Sequence, residues 1–344
     1  MTAPLVSVCL PNLNTLPFLK ERIDTIQAQT YPAWELVVSD NHSDDGAWEF
    51  FQALAERDPR VRLAQAPRQG MYANWNRAIE RASGEYVYIA TSDDTMAPDC
   101  LEKLVSALDA HPDCDLAHCP LRTIDENGRD MPVAWARSPE FALSSGPLID
   151  RRHVRRAPFD GVLHLLGGSV YISITQLLVR RSLFDRIGMF ESRWGSLGDF
   201  NWNMRAALVV NTVHVPDTWG GWRCHPSQAT ALARFGTAEH ALKVDEMIDH
   251  AIAASRPHVD AALYRQLTRW AADARALRAF QLELAARRDR SRVRRGAFLA
   301  RHVLGGSTAA HRYLLSRLLR RTGVDWVRRN LREVLAGPAL VPAA

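Results

Sequence analysis

The chain has 344 residues, 47% of them hydrophobic and 24% charged, enough to bury one large core or two modest ones. A net charge of +5 and a sequence pI near 9.1 favour anionic partners (phosphates, nucleic acid or an acidic membrane surface) without choosing among them. The opening Met1-Thr-Ala-Pro4 shows no basic stretch followed by a long apolar one, and no run approaches the roughly 18 apolar residues of a spanning helix, so neither a signal peptide nor a membrane span is expected.

The first half alternates strand and helix patterns. Val6–Leu10 reads as a strand, and Leu16, Leu19, Ile23 and Ile26 follow at helical spacing, with Asn14 or Thr15 as the expected cap. A second strand at Glu35–Ser39 ends on Asp40, and a short helix carries Trp48, Phe51 and Leu54. Val61–Ala64 is a third strand, followed by a helix with Met71, Trp75, Ala78, Ile79 and Ala82 on one face. Tyr86–Ala90 is a fourth, and Leu101, Leu104, Val105 and Leu108 mark the next helix. Strands separated by such helices imply βαβ units and a mainly parallel sheet, with ligands beyond the carboxyl ends of the strands.

Beyond Asp115 the pattern changes. Asn127-Gly128 suggests a turn, Gly146–Phe159 a mobile connection, and Gly161–Val179 a buried sheet-and-loop stretch. Ser173–Val179 reads as a strand, Leu183–Ile187 as a short helix and Asp199–Leu208 as a longer one. From about Thr237 the chain is helical in pattern and rich in Ala, Leu and Arg, so the expected division is 1–236 and 237–344. Cys9, Cys100, Cys114, Cys119 and Cys224 lack paired metal spacing and are expected as free thiols of a reducing compartment.

Asp93-Asp94 follows an apolar strand and precedes Pro98. Carboxylates at a strand end suit a divalent cation that bridges the oxygens of a diphosphate, although an acidic pair also caps helices. Around this pair the segments Val6-Ser-Val-Cys-Leu-Pro-Asn-Leu-Asn14, Gln27-Ala-Gln-Thr-Tyr-Pro32, Glu35-Leu-Val-Val-Ser-Asp-Asn-His-Ser-Asp-Asp-Gly46, Ser83-Gly-Glu-Tyr86 and Thr91-Ser-Asp-Asp94 occur in order. Val179–Phe190, Gly198-Asp199 and Trp222-Arg-Cys-His225 continue the series. The ordered set resembles family 2 glycosyltransferases over roughly the first two-thirds of the chain.

That resemblance implies a GT-A fold, an α/β architecture with a Rossmann-like, mainly parallel sheet flanked by helices, here with a C-terminal helical region. It implies an inverting transfer of one sugar from a nucleotide-sugar donor, a UDP-sugar being favoured, with Mg²⁺ or Mn²⁺ as cofactor. Pro11, Asn12 and Asn14 would line the nucleotide and Asp40 would contact the base. Arg68, Gly70, Asn76 and Asp93 complete the expected donor set. Asp94 is the first choice for the metal, with Asp93 and His225 beside it. Asp199 matches the catalytic base, although family members often carry Glu-Asp where this chain has Gly198-Asp199. Thr91 likewise stands where the commonest acidic motif begins with an acid.

The Gln-x-x-Arg-Trp pattern of processive synthases is missing, which favours single-sugar addition in surface polysaccharide or glycolipid assembly. The acceptor is expected to be a saccharide or a lipid-linked one. Arginines at 287, 288, 290, 292, 294, 295, 301, 317, 320 and 321 interleave with apolar residues. They fit either a helix face packed on the protein or a peripheral contact with anionic lipid at the inner face of the plasma membrane. The expected location is otherwise the cytoplasm. No nucleic-acid module or stacking platform is recognisable, so no nucleic acid is expected. A catalytically degenerate nucleotide-sugar scaffold is the non-enzyme alternative. A sugar nucleotidyltransferase would show a Gly-rich loop where this chain has Pro11-Asn-Leu-Asn14.

Overall fold

The computed structural model describes residues 3–131, 148–165, 169–228, 237–287, 292–306 and 338–343. Strand β1 (Val6–Asn12) is buried on both faces, as a central parallel strand must be, and its apolar run reflects that. It pairs in parallel with β2 (Trp34–Asp40) and with β4 (Tyr86–Ile89), and β2 pairs in parallel with β3 (Val61–Gln65). Helices α1 (Leu16–Gln27), α2 (Ala47–Ala55) and α3 (Met71–Glu80) make the crossovers. The carboxyl ends of β1, β2 and β4 therefore lie along one edge.

After β5 (Thr95–Met96), α4 (Cys100–Ala110), β6 (Cys114–His118) and β7 (Leu121–Ile124), the sheet becomes mixed. The order β12-β8-β10-β6-β9-β4-β1-β2-β3 places β9 (Leu177–Arg180) antiparallel between β4 and β6. Strand β8 (His153–Arg155) runs antiparallel to β10 (Asn211–His214) and to β12 (Leu340–Pro342). A small second sheet, β5-β11-β7, is centred on β11 (Gly220–Arg223). The whole is a mixed α/β fold whose parallel half carries the strand ends of interest.

Helices α5 (Phe159–Leu165), α6 (Ser182–Ile187) and α7 (Gly198–Ala207) cover the other side of the sheet. Helices α8 (Ala238–Ser255) and α9 (Ala261–Ala285) add Val244, Met247, Ile248, Leu267 and Trp270 to the apolar cluster that contains Trp202 and Phe190. Helix α10 (Arg292–Leu304) follows. No helix among the described residues is long and apolar enough to cross a membrane. The arginines expected at 288, 290, 317, 320 and 321 lie outside the described residues.

Several local expectations change. Helix α1 is not capped by the side chain of Asn14 or Thr15; the Leu16 amide donates to Asp45 Oδ2 at 2.8 Å, because the loop after β2 folds over the helix start. Ser173 does not start a strand. Its side chain and Gln176 form a capping box around a short 3₁₀ turn at Ile174–Gln176, and β9 begins only at Leu177. The Gly161–Val179 window includes the end of a helix rather than sheet and loop alone. Of the expected mobile connection, residues 146–147 lie outside the described set, while His153–Arg155 is a fully buried strand. Arg155 forms an ion pair there with Asp160 at 2.8 Å, both side chains nearly inaccessible. All five cysteines are unpaired thiols, as expected.

The parallel half is tied together by Glu35. Its Oε1 accepts from Ser7 Oγ (2.6 Å), the Ser83 amide (2.7 Å) and Ser83 Oγ (2.8 Å), and its Oε2 from Arg62 Nη1 (2.8 Å). Burial alone would raise the carboxyl pKa, but these donors outweigh it and hold it at about 2, below the ordinary 4.5. A carboxylate held low in the folded state stabilises it fully above its unfolded pKa and loses that contribution as pH falls through the folded one. Glu35→Gln should therefore lower stability by on the order of 2 kcal/mol at pH 7, with a gap to the wild type that narrows in melts taken near pH 3. An equal gap at both pH values would contradict this.

Candidate donor and acceptor site

A cavity of about 290 Å³ opens where β1, β2 and β4 end. Of the residues expected to hold a nucleotide sugar, Pro11, Asn12, Arg68, Gly70, Asp93 and His225 all line it. Gly70 sits at φ +101°, a conformation that favours glycine, and starts α3 at the cavity wall. Arg68 donates from Nε to the Asn41 carbonyl (2.9 Å) and from Nη2 to the His42 carbonyl (2.6 Å), so the guanidinium fixes the loop after β2.

Three other expected donor residues do not line the cavity. Asp40 is fully buried; its carboxylate accepts from Asn12 Nδ2 (2.8 Å), Ser43 Oγ (2.6 Å) and the Ser43 amide (2.8 Å). Asn14, at φ +53°, exchanges hydrogen bonds with Asp44 and joins the loops after β1 and β2. Asn76 donates to the Phe190 carbonyl (2.8 Å) and accepts from the Phe190 amide (3.1 Å), away from the cavity. The neighbours Asn41 and Asn74 line the cavity instead, and Asn74 binds the Asn12 carbonyl and Ser39 Oγ.

The acid pair divides its work. Asp94 is buried, with Oδ1 accepting from the Arg223 amide (2.8 Å) and Oδ2 from Thr91 Oγ1. Burial, and then the adjacent Asp93, push its carboxyl up to about 7. Asp93 faces both cavity and solvent, and its Oδ2 lies 3.0 Å from His225 Nε2. Ser227 Oγ, 2.8 Å from Nδ1, orients the imidazole. Strand β11 delivers both partners, since Arg223 ends it and His225 follows two residues later.

A second cavity of about 140 Å³ shares Met71, Trp75, Thr91 and Asp93 with the first, and its far wall carries Asp199. Asp199 Oδ1 lies 2.9 Å from the Tyr72 hydroxyl and accepts from the Phe200 amide at 2.8 Å. No bond to Oδ2 is seen among the described residues. Burial pushes the Asp199 pKa upward, and the bonds from Tyr72 and Phe200 oppose that rise. Asp93, Asp94 and Asp199 thus all line this second cavity, which shares a wall with the first.

Residues 7–188 match the family model described as glycosyl transferase family 2. The chain belongs to this family. Among relatives, an uncharacterised protein of Sinorhizobium fredii is 38% identical over 237 residues, which is 67% of this chain and 24% of the relative. A putative teichuronic acid biosynthesis glycosyltransferase of Bacillus subtilis, TuaG, is 34% identical over 101 residues, 29% of this chain and 40% of that protein. The chain thus matches well under half the length of these two relatives. The mannosyltransferase PcManGT from Pyrobaculum calidifontis, solved with GDP-Man and Mn²⁺, superposes with a TM-score of 0.55 over 95% of this chain and 86% of its own, at 19% identity. This glycosyltransferase therefore has the GT-A fold.

Among the described residues no cluster of three or more His, Cys, Asp or Glu side chains forms a ready metal cage. What fits a cation is narrower: one carboxylate oxygen and one imidazole nitrogen facing a cavity that a diphosphate would enter, so ligand oxygens would complete the coordination. The geometry thus favours Asp93 with His225 over Asp94, whose oxygens are engaged internally.

In a thermal-shift panel of UDP, GDP, dTDP and CDP with and without Mn²⁺, one nucleotide should give a metal-dependent rise in Tm. Asp93→Asn should weaken the metal-dependent part by about tenfold or more. Asn76→Ala should lower the baseline Tm yet preserve the nucleotide shift, whereas loss of the shift alone would return Asn76 to the donor site.

Proposed function

We propose that this glycosyltransferase moves one sugar from a nucleoside-diphosphate sugar to an acceptor hydroxyl with inversion, Asp199 acting as the base. The observation that carries the reading is that the two cavities share a wall at Asp93 and that the second is lined by both Asp93 and Asp199. A donor diphosphate beside Asp93 and His225 would leave the anomeric carbon facing the compartment that Asp199 lines. That convergence also favours an enzyme over a degenerate scaffold.

In this reading the Arg68-braced loop, Asn41 and Gly70 hold the nucleotide, while Asp40 and Asn14 keep the loops after β1 and β2 in register. Asp199 Oδ2 takes the acceptor proton as the acceptor oxygen bonds to the anomeric carbon. The bond from that carbon to the diphosphate breaks, and its electron pair leaves with the nucleotide. Asp93 and His225 would hold a Mg²⁺ or Mn²⁺, which when bound would supply charge neutralisation for the departing diphosphate. The Mn²⁺ in the PcManGT complex supports that cofactor, and its GDP-Man supports a nucleotide-sugar donor.

Trp75, Trp222, Ile172 and Ile174 give the second cavity apolar walls, which suit the C–H face of a saccharide ring. The TuaG similarity supports a place in surface polysaccharide assembly. The arginine-rich sequence of α10 would suit contact with an anionic lipid surface, in keeping with a lipid-linked acceptor.

Asp199→Asn should reduce transfer by about 10³-fold while leaving the nucleotide-dependent Tm shift intact. A base must be deprotonated to act, so the wild-type rate should rise with pH through the elevated Asp199 pKa. Parallel loss of transfer and nucleotide binding would place Asp199 in donor binding instead.

A further inference from the structure

Tyr72 and Gly198 meet more closely than any side chain at position 198 would allow. A Cβ added to Gly198 would stand 2.4 Å from Cε2 and 2.5 Å from Cδ2 of the Tyr72 ring. The ring has nowhere to retreat. Phe190 stacks on it (centroids 5.9 Å apart, 14° between planes), and Trp75 meets it edge-on at 5.0 Å. Tyr72 is 2% exposed; its hydroxyl lies 2.9 Å from Asp199 and 3.2 Å from the Ser196 carbonyl, and among the described residues Asp199 is the only carboxylate within its reach.

We infer that Tyr72 is the positioning residue of this enzyme: lodged in the space that Gly198 leaves open, it fixes the Asp199 carboxylate and stabilises its charged form. The hydroxyl and the Phe200 amide both bind Oδ1, which turns Oδ2 toward the cleft. The other titratable groups facing the same cavity are Asp93 and Asp94, on its opposite wall. Burial is what disfavours the charged Asp199 carboxylate, so a donor there is needed to keep it ionised. The Tyr72 hydroxyl is the one side-chain donor that supplies it among the described residues.

The inference rests on Asp199 acting as the base, but its test does not require turnover. In the full chain carrying ¹³C-labelled aspartate carboxyls, the Asp199 resonance is assigned by its disappearance in Asp199→Asn and titrated in wild type and in Tyr72→Phe. Phenylalanine keeps the ring against Gly198 and removes only the donor. The Asp199 pKa should rise by about half a unit or more, because a hydrogen bond to the charged form is lost. The acid limb of the transfer rate should move the same way, with the nucleotide-dependent Tm shift unchanged.

The steric half is read from melting temperatures. Gly198→Ala should lower Tm sharply in the wild-type background and far less beside Tyr72→Leu. An unmoved Asp199 titration in Tyr72→Phe, or an equal cost of Gly198→Ala in both backgrounds, overturns the inference. An active Asp199→Asn enzyme would overturn the base assignment itself, which is a separate result.

Discussion

Three carboxylates share one cleft, and like charges at such a site cannot all be ionised without help. The fold answers by giving each acid its own donors from a different element. Asp94 is turned inward onto Thr91 and the backbone of β11, where burial lets it carry a proton near neutral pH. Asp93 meets His225 at the cavity face. Asp199 is held across the cleft by Tyr72 and the start of α7. Most other features of the site can be traced to keeping these three arrangements apart.

Support for Asp199, the proposed base, runs a long way from it. Asn76 bonds the Phe190 backbone on both sides, Phe190 stacks on Tyr72 and on Trp202, and Trp202 donates to the Gly188 carbonyl. These contacts make one rigid aromatic block between α3 and α7. A rigid block matters because a base that acts in line tolerates little displacement. On the donor side the same job falls to polar contacts: Arg68 on backbone carbonyls, Asn12 on Asp40, and Asn14 on Asp44.

The parallel half of the fold was legible because each strand is an apolar run closed by a polar residue, and that pattern marked Asp40, Asp93 and Asp94 as strand-end positions. What the sequence could not reveal was which way these acids point. Asp94 faces inward only because β11 arrives from far along the chain to offer it an amide. Asn74 and Asn76 lie on one helix two residues apart; which of them faces the cavity depends on the packing of Phe190, a contact that local spacing does not encode. Gly198 read as a departure from the family pattern, and its physical reason lies in the ring of Tyr72, distant in sequence. The strand at His153–Arg155 was missed because its charged and polar residues resemble a loop until the Asp160 ion pair and the neighbouring strands are in place.

We propose a single in-line displacement with Asp199 as the base on the acceptor side of the anomeric carbon. The most direct measurement is the ¹H–¹³C NMR coupling at the anomeric centre of the transferred sugar, compared with that of the donor. The opposite anomeric configuration is expected in the first product formed. Retention of the donor configuration would contradict it, since it would require a different trajectory or a covalent intermediate.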